Sequence, residues 1–539
     1  MKNNIKLLLA AGLGACATSC TDLDVTVESQ YTEYPNNEIA IEAKMADVYF
    51  QMRGPLGRRV SEAVCFSSDE YVAVCYDGGY YDGGHCQRAT FHNFGTEDPT
   101  LDWFGTVSEG IAKANKAIVD LGGPSAGSAA AGARAVRAYY HFVLMDGWGD
   151  VPILDRTPED GEVVARQPRA EVAKFIESEL LDVLDDLTTD VTPNTYGKPT
   201  RWMAEALLAK LYINWAVYTA SSVDQYDAAT AKNEKLADCI KVCDDIINSG
   251  KFNLGTGKYA HFAQKFGPKN GPDCEDFIYA MPYDTYTQQG MIYGRFRSWK
   301  GLKKLATGYY GMALSQSTGG YAAMTPEFSD LFCLEGDVRN ELVLKGEVHV
   351  FDPETLRPTD KVALDQNGNP IVLTREITLK GDPNDETLDV GESITGYNQG
   401  NRSVKFFVID DDFKNGRNQS NDVPIFRYAD ILLMKAEAIV RGGGNGDAKA
   451  LFNEVRAYAQ APLLSATPTL DEIYDERGRE FLDENWRRND MIRFGHYEDE
   501  YYPHYKSNPN ANFDKTKRIW PIHRDILNLN PTWKQNPGY

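Results

Sequence analysis

The chain is expected to be mainly α-helical: a body of paired helices interrupted by loop-rich and short β insertions. Two patterns carry that expectation. Over long stretches apolar residues recur at intervals of three and four, the spacing of one helix face. Between these lie stretches rich in Gly, Tyr and Asp, and others where short β-branched runs alternate with turn residues.

Residues 20–37 are polar and acidic and read as a tether. Ala135, Ala138, Tyr139 and Phe142 form one helix face. Val172, Phe175, Ile176, Leu180, Val183, Leu184 and Leu187 form a second. Leu207, Leu208, Leu211 and Trp215 form a third, behind Thr200 as a cap candidate. Thr469 and Glu472 have the spacing of a capping box that opens another helix. Several of these segments mix Ala with Tyr or Trp. Alanine lets two helices approach and the ring fills the space between turns, as in tetratricopeptide-type pairs. No clean 34-residue period is present, so degenerate pairs fit better than a regular array. Three stretches break the helical pattern: 71–99, 267–320 and 342–404. In the last, Ile371-Val372-Leu373 and Glu376-Ile377-Thr378-Leu379 read as strands, with Asp365 to Pro370 as a turn.

The N-terminus reads as an export signal. Lys2 and Lys6 supply its positive charge, and Ile5 through Ala15 supplies a short apolar region, too short to span a bilayer as a helix. Small residues then lead into Cys20, as in bacterial lipoproteins, which this segment resembles. The expectation is cleavage after residue 19, a lipid on Cys20, and no other link to a membrane, because no long apolar run follows. The formal charge of −22 repels nucleic acid and anionic membranes. Cys16 leaves with the signal and Cys20 takes lipid. Seven cysteines remain, among which Cys75 and Cys86 flank a Gly-rich loop and could be bridged. Cys239 and Cys243 lie one turn apart, which suits neither a disulfide nor a complete metal site, and no spaced CxxC pairs suggest zinc.

Five segments together resemble the SusD/RagB family of Bacteroidetes outer-membrane lipoproteins. They are 134–144 (RAVRAYYHFVL) with 147–152 (GWGDVP); 200–212 (TRWMAEALLAKLY); 423–438 (VPIFRYADILLMKAEA); 452–456 (FNEVR) with 476–481 (ERGREF) and 490–495 (DMIRFG); and 519–522 (IWPI) with the terminal 535–539 (QNPGY). One departure is visible: Arg488-Asn489 stands where many members carry an aromatic pair. The resemblance implies a single SusD-like domain over 38–539, with an N-terminal helical part (38–265), loop and strand insertions (266–410) and a C-terminal part that bears the motifs (411–539). It implies a cell-surface lipoprotein that holds an oligosaccharide, or in some members a peptide, as a lid over a SusC-like TonB-dependent barrel. It implies no enzymatic activity and no cofactor.

Read physically, the motif charges Arg427, Asp430, Glu437, Arg477, Glu480, Arg487, Asp490 and Arg493 are expected to lock helices together. The ligand site is expected in the insertions. Sugars present apolar C–H faces and rims of hydroxyls, which flat rings and Arg, Asn, Asp or Gln can meet. One run, 76–85, contains Tyr80 and Tyr81 and is followed by Arg88. The other contains Tyr283, Tyr286, Gln288, Tyr293, Arg295, Arg297, Trp299, Tyr309 and Tyr310. The residues chosen are Tyr80, Tyr81, Arg88, Tyr286, Tyr293, Arg297 and Trp299, with Trp299 and Tyr81 first. Trp103, among Leu101, Phe104 and Val107, is expected in the core. Arg295, Arg297, Lys300, Lys303 and Lys304 read as a solvated basic face, or more sharply as a site for an acidic sugar. Asp77, Asp82, Asp365, Asn367 and Asn369 match turn chemistry better than a calcium loop. A surface glycoside hydrolase would need two carboxylates across a sugar bond, and no local motif singles out such a pair.

Overall fold

The computed structural model of the chain describes residues 38–79, 81–297, 314–316, 318–365, 367–381, 387–499, 501 and 513–539. The side chains of 38–40, 81, 82, 295 and 297 are not among those described. The chain divides into a short unit, 1–46, whose described part is helical, and a body, 47–539. Among the described residues no helix is long and apolar enough to cross a membrane.

The body is built on paired helices. Phe104–Asp120 packs on Ser128–Trp148, which packs in turn on Arg169–Val183. Arg201–Ile213 packs on Leu236–Asn248, and Tyr428–Val440 lies against Leu236–Asn248 and Ala448–Tyr458. The caps follow the sequence. Thr200 accepts from Met203 N–H, and Thr469 with Glu472 forms a complete capping box. Val172, Ile176, Leu180 and Val183 are buried on one face, while Leu181 between them is exposed. Arg201–Ile213 differs from a one-faced helix: every residue from Trp202 onward is buried. Its two buried charges are paired, with Lys210 Nζ 2.6 Å from Asp430 and Glu205 2.8 Å from Arg201 at the helix start.

Distant motifs meet in an aromatic core. Trp103 stands 4.6 Å from Trp148, and Trp148 stands 5.2 Å from Trp520, centroid to centroid. Gly147 permits this approach: a Cβ there would lie 2.7 Å from the Trp520 ring. Trp148 Nε1 donates to Pro521 O, and Trp520 N donates to Gly147 O. Arg488 has a packing role: its guanidinium lies 4.5 Å over the Trp520 ring and donates to Arg518 O.

The insertions carry short two-stranded ladders. Phe277–Met281 pairs antiparallel with Val423–Arg427, Tyr71–Ala73 with Ala322–Met324, and His349–Phe351 with Pro358–Val362. Val372–Leu373 pairs with Gly346–Glu347, and Asp365 forms the expected turn by accepting from the N–H groups of Asn367 and Asn369. Glu376–Leu379 is not a strand, contrary to its pattern. The Gln399 side chain takes the Thr378 N–H that a neighbouring strand would need. Cys75 and Cys86 do not form a disulfide with each other. Both are buried thiols, as are Cys65, Cys239, Cys243 and Cys274, while Cys333 is exposed.

The motif charges form a buried network. Arg427 binds Asp276 (2.6 Å), Glu480 (2.9 Å) and Glu484 (2.7 Å). Arg339 binds Asp337, Glu476 and Glu480, and Arg477 bridges Asp430 to Asp490. Arg493 joins Glu437 to Asp490. Burial alone would raise the carboxyls, but Arg339, Arg479 and Arg456 hold Glu476 at about 2, and Arg477 and Arg493 hold Asp490 at about 2. Arg427→Met is expected to leave three buried carboxylates short of a partner and to cost ~3–5 kcal/mol in urea unfolding. A loss below ~1 kcal/mol would contradict the role given to Arg427.

Candidate functional site

The strand that leads into the first aromatic insertion and the strand that follows the second are far apart in sequence and adjacent in the fold. Tyr71–Ala73 leads into the first, and Ala322–Met324 follows the second. These strands pair with Tyr71 opposite Met324 and Ala73 opposite Ala322. The seam continues beyond the ladder: Val74 N donates to Tyr321 O (2.9 Å), and Tyr76 OH donates to Gly320 O (2.6 Å). The first loop is held from its other side by Asp389, whose carboxylate accepts from Asp77 N and Gly78 N. Asp77 itself pairs with Lys380, so its charge is already used.

The second insertion starts against residues 53–57. Tyr283 OH donates to Arg53 O, Ile292 N to Gly57 O, and Tyr293 OH to Leu56 O. Gly57 is required there, because a Cβ would run into the carbonyl of Gly290. The turn Tyr293–Arg297 then lays Phe296 against Tyr321, 5.8 Å and 28° between rings, with Phe66 beneath both.

Three of the residues chosen from the sequence, Tyr286, Tyr293 and Arg88, have described side chains, and each is placed differently. Tyr286 is 73% exposed at the rim of a groove of about 700 Å³. Asp284 lifts it there by accepting from Tyr286 N (2.7 Å) and Thr287 N (2.6 Å). Partial desolvation raises the Asp284 carboxyl, but these bonds and the Thr287 hydroxyl hold it at about 2. Tyr293 is corrected: it is fully buried, packed on Phe296 and Phe406, and cannot offer its ring to a ligand. Arg88 is half-exposed and pairs with Asp98, which also caps Gly95 N–H. Tyr81 opens a short helical turn, Tyr81–Gly84, but its side chain lies outside the described residues, as does that of Arg297. Tyr80, Trp299, Cys20, Tyr309, Tyr310 and the lysines of the basic cluster also lie outside them. Trp103 is buried, as its neighbours indicated.

The groove contains residues that no local pattern marks. Tyr196, Asn270 and Asp422 line it with Tyr283, Tyr286 and Gln288. Asp422 accepts from Tyr196 OH and from Tyr283 N, both at 2.7 Å, and its own N–H donates to Asn270. Burial pushes its carboxyl up to about 7, against the pull of those donors and Arg53. The groove therefore combines apolar surface from Pro272, Pro282 and the tyrosines with polar groups, and has an exposed ring at its rim, a shape that can take a ligand with both an apolar face and hydroxyls.

Asp422 sets a pH dependence. Below its ordinary value of 3.8 the carboxyl is protonated in folded and unfolded chains alike. Between 3.8 and about 7 only the unfolded chain releases the proton, so this group's contribution to stability falls as pH rises through that window. Asp422→Asn is expected to gain stability relative to the unaltered chain between those limits, by up to ~4 kcal/mol, in urea unfolding at stepped pH. A difference that does not change with pH would contradict the raised carboxyl.

The sequence model of the SusD family matches residues 334–539. A second model, described as starch-binding associating with outer membrane, matches 23–213. The chain is 25% identical over 430 residues to the starch-binding protein SusD of Bacteroides thetaiotaomicron, covering 75% of this chain and 72% of that one. Its fold is similar to that of surface glycan-binding protein A from Bacteroides uniformis, with a TM-score of 0.68 and 19% identity, covering 93% and 99% of the two chains. It is similar also to surface glycan-binding protein A from Bacteroides thetaiotaomicron in complex with laminarihexaose, with a TM-score of 0.64 and 18% identity, covering 93% and 99%. These relatives are named for binding, not for catalysis. With matching models over both ends and the same fold between them, the chain belongs to the SusD/RagB family.

Proposed function

We propose that this chain binds oligosaccharides at the cell surface and passes them to a SusC-like TonB-dependent barrel in the outer membrane. The observation that carries the reading is the seam. Two insertions rich in aromatic and polar residues leave the helical body side by side, stitched by Tyr71–Ala73 and Ala322–Met324. Relatives with this fold are named for starch and for surface glycans, one of them in complex with laminarihexaose. Exposed rings such as Tyr286 would cover the C–H face of a sugar, while Gln288, Lys414 and Asp273 at the groove would meet its hydroxyls.

The lipid on Cys20 and the polar run after it would keep the binder near one barrel mouth while it moves. Effective concentration then replaces tight protein–protein affinity.

A glycan array with the mature chain is the first test, with a peptide library as its counterpart. The reading expects saturable binding to an oligosaccharide class; binding to peptides alone would replace it with the peptide-carrying alternative. Tyr286→Ala should weaken glycan binding roughly tenfold with unfolding unchanged, by calorimetry and urea titration. Tyr293→Ala should instead cost ~3 kcal/mol of stability. Equal effects of the two on stability would argue against Tyr286 as a ligand platform. Cys20→Ala should abolish surface anchoring and import in cells while leaving the purified domain's affinity unchanged. A fall in that affinity would contradict the tether.

A further inference from the structure

We infer that Glu62 is a positioning residue that holds both aromatic insertions in one arrangement; this rests on the reading that those insertions carry the ligand surface. Glu62 lies on the helix Arg59–Phe66, beneath the seam, and is fully buried. Its Oε1 accepts from Tyr321 OH (3.0 Å), at the exit of the second insertion, and from Arg58 Nε (3.0 Å). Its Oε2 accepts from Arg59 Nη1 (2.8 Å). The same Arg59 nitrogen stands 3.4 Å from His85 Nε2, at the exit of the first insertion. One carboxylate thus reaches the second insertion directly and the first through a guanidinium.

Packing runs in parallel with the charges. Phe66, on the same helix, stacks on Tyr321 at 5.8 Å and 28°, and Tyr321 stacks on Phe296. Helix Arg59–Phe66 also packs on His85–Thr90. A shift of Tyr321 therefore strains bonds that run to His85. Donor atoms of Glu62, His85 and Cys86 lie within 4.8 Å of one another. Arg58 and Arg59 already compensate the Glu62 charge, and Arg59 reaches His85 as well. The cluster works as an ion-pair clamp whose cation is a side chain. Glu62 carries charge into a dry site, which costs several kcal/mol unless it is paired. Two guanidiniums from the same helix end supply the charge, the Tyr321 hydroxyl of the second insertion completes the set, and Arg59 carries the link on to His85 at the exit of the first.

The test is amide hydrogen exchange on the full mature chain without ligand. Tyr321→Phe removes one hydroxyl in the second insertion and keeps the ring stack. The inference expects exchange to rise roughly fivefold at Ala322–Met324 and also in the first insertion, at His85–Thr90. A merely local role would raise exchange at 318–324 and leave His85–Thr90 unchanged, and that result would overturn the inference. Glu62→Gln should raise exchange in both places, more strongly; if that variant does not fold, Tyr321→Phe still decides. Arg156→Gln, which breaks an exposed pair with Glu162, should move neither. The experiment contains no sugar, so its failure is separate from a failure of the glycan reading. A blank glycan array beside coupled exchange would leave the clamp standing and remove its proposed purpose.

Discussion

The body depends on Arg427 and the three carboxylates around it. A buried charge costs several kcal/mol unless it is paired and hydrogen-bonded, so the arrangement that satisfies all of these groups at once excludes most others. Arg427 ends the strand Val423–Arg427, and its partner Asp276 immediately precedes the strand Phe277–Met281. The network therefore sets the register of this strand pair. At the far end of the same pair, Asp422 accepts from Tyr283 N–H and from Tyr196. A ladder of five residues has the charge network at one end and the groove at the other. The groove is placed by charges that never touch it.

The family segments acquire physical meaning in the same way. The run 147–152 and the run 519–522 are one structure, in which Trp148 and Trp520 pack edge to face, Trp520 N donates to Gly147 O, and the Trp148 indole N–H donates to Pro521 O. Asn536 of the terminal segment donates to the carbonyls of both tryptophans. The motif arginines hold buried acids. Arg488 packs its guanidinium plane on Trp520 and so ties the helix Arg487–Phe494 to the same aromatic core.

Local signals were legible in the sequence and long-range ones were not. The Thr200 cap, the Thr469–Glu472 box and the face from Val172 to Val183 need only neighbours within a few residues, and they stand as read. Tyr293 was misread because Gly294 and Arg295 hide a single helical turn that buries positions 293 and 296 together. Glu376–Leu379 has strand composition, but a Gln399 side chain supplied the bond a strand would have needed. Asp422 and Tyr196 share the groove across more than two hundred residues, and Tyr71–Ala73 meets Ala322–Met324 across a similar span. No periodicity reports such pairings. That the insertions carry aromatic and polar residues was visible; that they leave the body side by side was not.

The proposal at the centre is that the insertions, and with them the groove at Tyr286, carry ligand recognition on a charge-locked body. The measurement that addresses it most directly is hydroxyl-radical footprinting of the mature chain with and without the oligosaccharide an array selects. The account predicts protection at 76–88, at 283–297 and at the groove residues Tyr196, 269–273 and 411–422, with Tyr286 among the protected side chains and the Trp103, Trp148 and Trp520 core unchanged. Protection of another face, with both insertions as reactive as in the free protein, would contradict it.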